Sequence, residues 1–82
     1  MLTDRERAIL ELEARHPRHS GSKEAAILSV LGIKTVRYYQ TLHQLVRRAD
    51  VVAEYPMLAA RVQRRSGEAR RARAARQFVT LG

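Results

Sequence analysis

Side chains between Thr35 and Arg47 have the types and spacing to read a nucleic-acid duplex. At about 100° per residue along a helix, Val36, Gln40, His43 and Arg47 fall on one face, flanked by Arg37, Tyr39 and Gln44. A guanidinium can give two parallel hydrogen bonds to guanine O6 and N7, and a Gln amide can pair with adenine N6 and N7. Each such pair is worth about 1 to 3 kcal/mol of discrimination. The candidate base contacts are therefore Thr35, Val36, Arg37, Gln40 and His43. The Thr35 or Val36 methyls can pack on thymine, and His43 is either a base contact or an ordinary surface histidine.

Phosphates need cations and hydrogen-bond donors, and the same region supplies Lys34, Tyr39, Gln44, Arg47 and Arg48. Tyr39 can give its hydroxyl to a phosphate or simply cover the edge of the core. Arg47 and Arg48 at a helix C-terminus also interact favourably with the helix dipole, and that role is compatible with phosphate contact. Downstream stand Arg61, Arg64, Arg65, Arg70, Arg71, Arg73 and Arg76, again candidates for phosphate contacts. Guanidinium clamps phosphate better than ammonium, and no lysine occurs in this stretch.

The elements that would position these groups are two helices joined at Gly32. Ile27, Leu28 and Leu31 precede the glycine, Ile33 follows it, and Tyr38, Leu42 and Leu45 recur in the next helix. That is the interlock of two crossed helices burying a shared seam, the pattern of a DNA-binding helix-turn-helix. A helical hairpin with no DNA role has the same pattern. A sharp reversal after a helix favours a left-handed residue, which glycine adopts cheaply. The supporting helix is expected over about 22 to 31, capped by Ser20 or Ser22, and the reading helix over 34 to 47, with Thr35 as its cap.

Before the pair, Thr3 and Glu6 form a T-x-x-E capping box for a first helix whose inward stripe is Ile9 and Leu12, supported by Ala8. His16-Pro17 ends it near Arg15. Arg18 in the loop HPRHSGS, or Lys23 just after it, offers a weak phosphate contact at or near a helix N-terminus. His16 and His19 with Glu13 make a poor metal set, because proline breaks their register and no fourth ligand is in sight. After the pair, Asp50 can cap a short turn through Val51, Val52 and Ala53. Pro56 then suits the first position of another helix, with Met57, Leu58 and Val62 facing inward. Ser66 and Gly67 weaken that helix. Beyond them alanines alternate with arginines and bury too little to order the chain alone. The domain is therefore expected over 1–65, followed over 66–82 by a basic arm that becomes helical against DNA, with Phe78, Val79 and Leu81 as an apolar end.

The whole chain has 82 residues and no cysteine, with 16 Lys and Arg against eight Asp and Glu, a net charge of +8. One small all-α bundle is the expected fold, and a chain this short buries only about 60 to 65% of its unfolded surface. The charge is uneven: residues 1–31 sum to zero, 32–56 to +2 and 57–82 to +6. A polyanion is the expected partner. No apolar run is long enough to span a bilayer and no signal-peptide core opens the chain, so a cytoplasmic, nucleoid-associated protein without a membrane partner is expected. No nucleophile with a base partner, phosphate-cradling glycine loop or metal cluster can be named, so neither catalysis nor a cofactor is expected.

LTDRER at 2–7, GIKTVRYYQTL at 32–42 and YPML at 55–58 before an arginine-rich end together resemble a family of small actinobacterial proteins of unknown function. Its members read LTDRER, a G-K-E type second helix, RYYQ-x-L, D-P-M-L and a basic C-terminus. This chain departs from that pattern at Lys34, where serine is usual, at Tyr55, where aspartate is usual, and at His16-Pro17, where an aromatic pair is usual. The resemblance implies a sigma-like helix-turn-helix fold and supplies no activity. Taken with the residues, it gives a DNA-binding transcriptional regulator whose partner is double-stranded DNA, bound as a homodimer or in cooperation with another protein. The alternatives are a module docking on RNA polymerase or another regulator, and a nonspecific nucleoid or RNA-binding protein.

Overall fold

The chain begins its first helix at a reciprocal cap. The Glu6 amide donates to the Thr3 hydroxyl at 3.1 Å, and the Thr3 amide donates to the Glu6 carboxylate at 2.9 Å. These bonds satisfy two donors, and Asp4 and Glu6 add negative charge where the helix dipole favours it. The helix, α1, spans Asp4–Arg15 and stops at His16, as the following proline requires. In this computed structural model the backbone is described for residues 1–81 and the side chains for residues 1–68.

Five α-helices and no strand make up the described chain: α1, α2 (Gly21–Ala26), α3 (Thr35–Leu45), α4 (Ala49–Glu54) and α5 (Pro56–Leu81). Ser20 caps α2 by accepting from the Lys23 amide at 3.2 Å. The expected ten-residue helix then widens into a π turn over Ile27–Leu31, ending at Gly32 with φ 66° and ψ 25°. A Cβ on Gly32 would meet nothing within 4 Å, so the glycine is needed for its left-handed backbone and not for space. A residue with a Cβ pays about 1 to 2 kcal/mol for that conformation.

Among the described residues thirteen apolar side chains form the core, contributed by every helix except α2, by Val46 just after α3, and by the π turn that continues α2, which supplies Ile27 and Leu31. Two expected members are missing. Leu28 is 64% exposed, because the inward stripe here runs in steps of four through Lys23, Ile27 and Leu31. Met57 is 85% exposed, while Leu58, Ala59 and Val62 take the inward side of α5. Leu10 is fully buried and was not expected, because α1 packs against three elements, α3, the π turn and α5. α3 starts at Thr35 with Lys34 in the cap position and no side-chain cap bond, so Thr35 is not its cap.

The turn expected after the third helix is a helix of its own, α4, whose Val51 is fully buried. Pro56 opens α5, where its missing amide costs nothing. The helical backbone of α5 continues through Ser66 and Gly67, the residues expected to weaken it. Phe78, Val79 and Leu81 lie outside the described side chains.

Ion pairs fasten α4 to α1. Arg48 meets Glu6 at 2.6 Å and Asp50 at 2.6 Å, Arg7 meets Glu54, and the N-terminal ammonium stands 3.3 Å from Asp50. The hydrogen bonds from Arg48 pull the Asp50 carboxyl down to about 2. Glu6 is also lowered, first by the Thr3 amide and then by Arg48. At pH between about 4 and 2 the unfolded chain binds a proton on Asp50 that the folded chain does not, and the lowered Glu6 acts in the same direction. Stability should therefore be level above about pH 5 and fall as pH drops through that window. Urea midpoints measured against pH check this, and Glu6→Gln with Asp50→Asn should flatten the slope.

Candidate nucleic-acid interface

What orients α3 is a polar cluster inside the core. Glu13 of α1 and Lys23 of α2 are 3% and 1% exposed, and the Lys23 ammonium lies 2.7 Å from the Glu13 carboxylate. Tyr38 of α3, with no exposed surface, donates its hydroxyl to the same Glu13 oxygen at 2.7 Å. Burial, with that bond to a carboxylate, pushes the Tyr38 hydroxyl far above its ordinary range, so it stays a proton donor. The Lys23 ammonium also sits 5.0 Å from the centroid of the Tyr39 ring and 5.7 Å from that of Tyr38. One charge pair thus ties three helices.

Lys23 is therefore not a phosphate contact at a helix N-terminus: its side chain points inward. The metal reading also fails for Glu13, whose carboxylate is taken by Lys23 and Tyr38. Among the described residues no group of three or more His, Cys, Asp or Glu could hold a metal ion. The signal for this cluster is in the spacing. Glu13 is four residues after Ile9, and Lys23 is four before Ile27, so each lies on its helix's inward stripe.

With Tyr38, Leu42 and Leu45 buried beneath it, α3 turns Val36, Arg37, Gln40, His43 and Gln44 outward. Val36 is 70% exposed, and Arg37 makes no ion pair among the described residues. Thr35 is half-buried at the helix start, and Lys34 and Arg47 are exposed at its two ends. His43, Gln44 and Arg47 line a cleft with Gln63 and Ser66 of α5, so α5 flanks the C-terminal half of this face. The open part is the first half, from Lys34 to Gln40.

Several expected phosphate contacts are engaged elsewhere. Tyr39 is half-buried, and its hydroxyl lies 3.0 Å from His19 Nδ1, whose Nε2 lies 3.0 Å from Glu24. It covers the edge of the core. Arg48 is held by Glu6 and Asp50 against α1. Arg61 donates to the Glu13 carbonyl at 3.2 Å, with its Nε buried and unpartnered. Arg65 donates to the Pro17 carbonyl, and Arg64 is exposed. Arg70, Arg71, Arg73 and Arg76 lie outside the described side chains.

A five-helix bundle with an exposed helix after a glycine turn is the class these features define. The chain belongs to the family described as a protein of unknown function, DUF3263, whose model matches residues 1–78. No curated protein and no solved structure matches it.

The buried cluster predicts a sign as well as a size. Lys23→Met alone leaves a buried carboxylate without its counter-charge and should cost about 3 to 5 kcal/mol. Adding Glu13→Leu should recover part of that loss, short of the cost of leaving the buried Tyr38 hydroxyl without its acceptor, and Tyr38→Phe alone should cost about 1.5 to 3 kcal/mol. Urea denaturation of the single and double variants measures all three.

Proposed function

We propose that the protein binds double-stranded DNA through the outward face of α3 and regulates transcription. The observation that carries this reading is the pair Arg37 and Gln40, both exposed on a helix whose opposite side is buried in the core. Their donors suit guanine and adenine edges in a major groove, and Val36 suits a thymine methyl. The uncapped start of α3 beside Lys34 supports it further, since a cation at a helix N-terminus is unfavourable until an anion such as phosphate joins it. The role of the flank falls to Lys34, Gln44, Arg47 and Arg64, with the arginines from Arg70 to Arg76 supplying charge beyond the domain. One such module contacts few base pairs, so useful specificity calls for a second copy or a companion protein.

A second reading is favoured by one feature. Leu28 and Val30, at 64% and 67% exposed, stand on the turn beside α3, as a protein-docking module would present them. In that reading the partner is RNA polymerase or another regulator, and nuclease-treated pull-downs would retain it.

Selection of bound duplexes from a random pool tests the first reading, which expects an enriched motif. On that motif Arg37→Ala should lose about 1 to 3 kcal/mol of discrimination, with little change on scrambled DNA. Equal loss on both would count against base reading. Replacing Arg70, Arg71, Arg73 and Arg76 with Gln should instead weaken all sequences alike. It should also reduce the slope of log K against log salt by up to roughly 3 to 4. Fluorescence anisotropy across a salt series reads both effects.

A further inference from the structure

A second cleft of about 330 Å³ opens on the other side of His43, between α2, α3 and α5. Its floor is mainly apolar, made by Leu42 and Val62, which are 1% and 5% exposed, beside the half-buried Tyr39, and the buried Lys23 lines it as well. Its rim is cationic or hydrogen-bonding, with Arg65, His19, His43 and Ser66. The Glu13 carboxylate also reaches this cleft, but Lys23 neutralises it at 2.7 Å. Local charge is thus set by Arg65. Its bond to the Pro17 carbonyl uses only one of several guanidinium donors and fixes the side chain at the rim.

An apolar floor with a few convergent polar groups at its edge is the usual build of a small-molecule site, and the volume lies in the range such sites occupy. The floor takes a flat ring against Leu42, Val62 and Tyr39. The rim takes one anionic group, since a guanidinium matches a carboxylate in shape and charge. We propose that this cleft binds a small aromatic carboxylate, its ring on the apolar floor and its carboxylate on Arg65 with His43 alongside. Such a ligand would touch α3 and α5 at once, from the side away from Arg37 and Gln40. The site is independent of the DNA reading, and its test contains no DNA.

The test titrates the full-length protein with 2-naphthoate, and separately with the uncharged 2-naphthylmethanol, while backbone amide shifts are followed by NMR. Saturable shifts are expected at Leu42, His43, Val62 and Ser66, with the alcohol at least tenfold weaker. Arg65→Gln should bring naphthoate down to the level of the alcohol. Arg64→Gln, which removes the same charge from outside the cleft, should leave its affinity within twofold; melting curves of both variants confirm that they fold. The proposal is overturned by a lack of saturation at millimolar naphthoate, by equal binding of acid and alcohol, or by shifts spread over Arg5, Arg47 and Arg64 in place of the cleft. Equal losses in the two arginine variants would overturn it as well.

Discussion

The Glu13 carboxylate, shared by the Lys23 ammonium and the Tyr38 hydroxyl, is the constraint on which the arrangement of α1, α2 and α3 depends. Placing a charge pair in the core of so small a domain is costly, and packed apolar residues of similar size would often serve stability as well or better. What the pair supplies is direction. An apolar seam tolerates sliding and rotation among similar packings, whereas a carboxylate meeting two donors on two different helices is satisfied in one geometry only. Because Tyr38 is one of those donors, the roll of α3 about its axis is set from inside.

That roll decides what the surface can do. With Tyr38 and Leu42 held inward, Val36, Arg37 and Gln40 must point out, and the helix presents a face that is polar at its start and flanked by α5 at its end. The basic residues divide accordingly. Arg48 and Arg7 hold α4 on α1, and Arg61 and Arg65 reach backbone carbonyls of α1 and its following loop. Charge is thus partly structural in the first 65 residues. The remaining excess lies with the exposed cations near α3 and the arginines that follow residue 68.

Much of the fold was legible in the chain. The Thr3–Glu6 box, the stop at Pro17, the reversal at Gly32 and the start at Pro56 are local signals, each set by a few neighbouring backbone groups. Long-range pairing was not legible. The spacing of Glu13 from Ile9 and of Lys23 from Ile27 puts each on an inward stripe, but nothing in either neighbourhood says that the partner lies ten residues away. Arg48 shows the same limit: a cation near a helix end reads as outward until Glu6, 42 positions earlier, closes on it. The outward placement of Val36, Arg37, Gln40 and His43 was legible because it follows from the 3.6-residue period of one helix, whereas the surroundings of Tyr39, Arg48, Arg61 and Arg65 depend on neighbours from other elements.

In the proposed mode of binding the first half of α3 meets the duplex. It is tested most directly by mapping backbone amide shifts of the protein as a bound duplex is added, under salt that suppresses nonspecific contact. The largest shifts are expected at Val36, Arg37 and Gln40, with Tyr38 and Leu42 moving little. Shifts confined to residues beyond Arg64, with α3 unmoved, would contradict it.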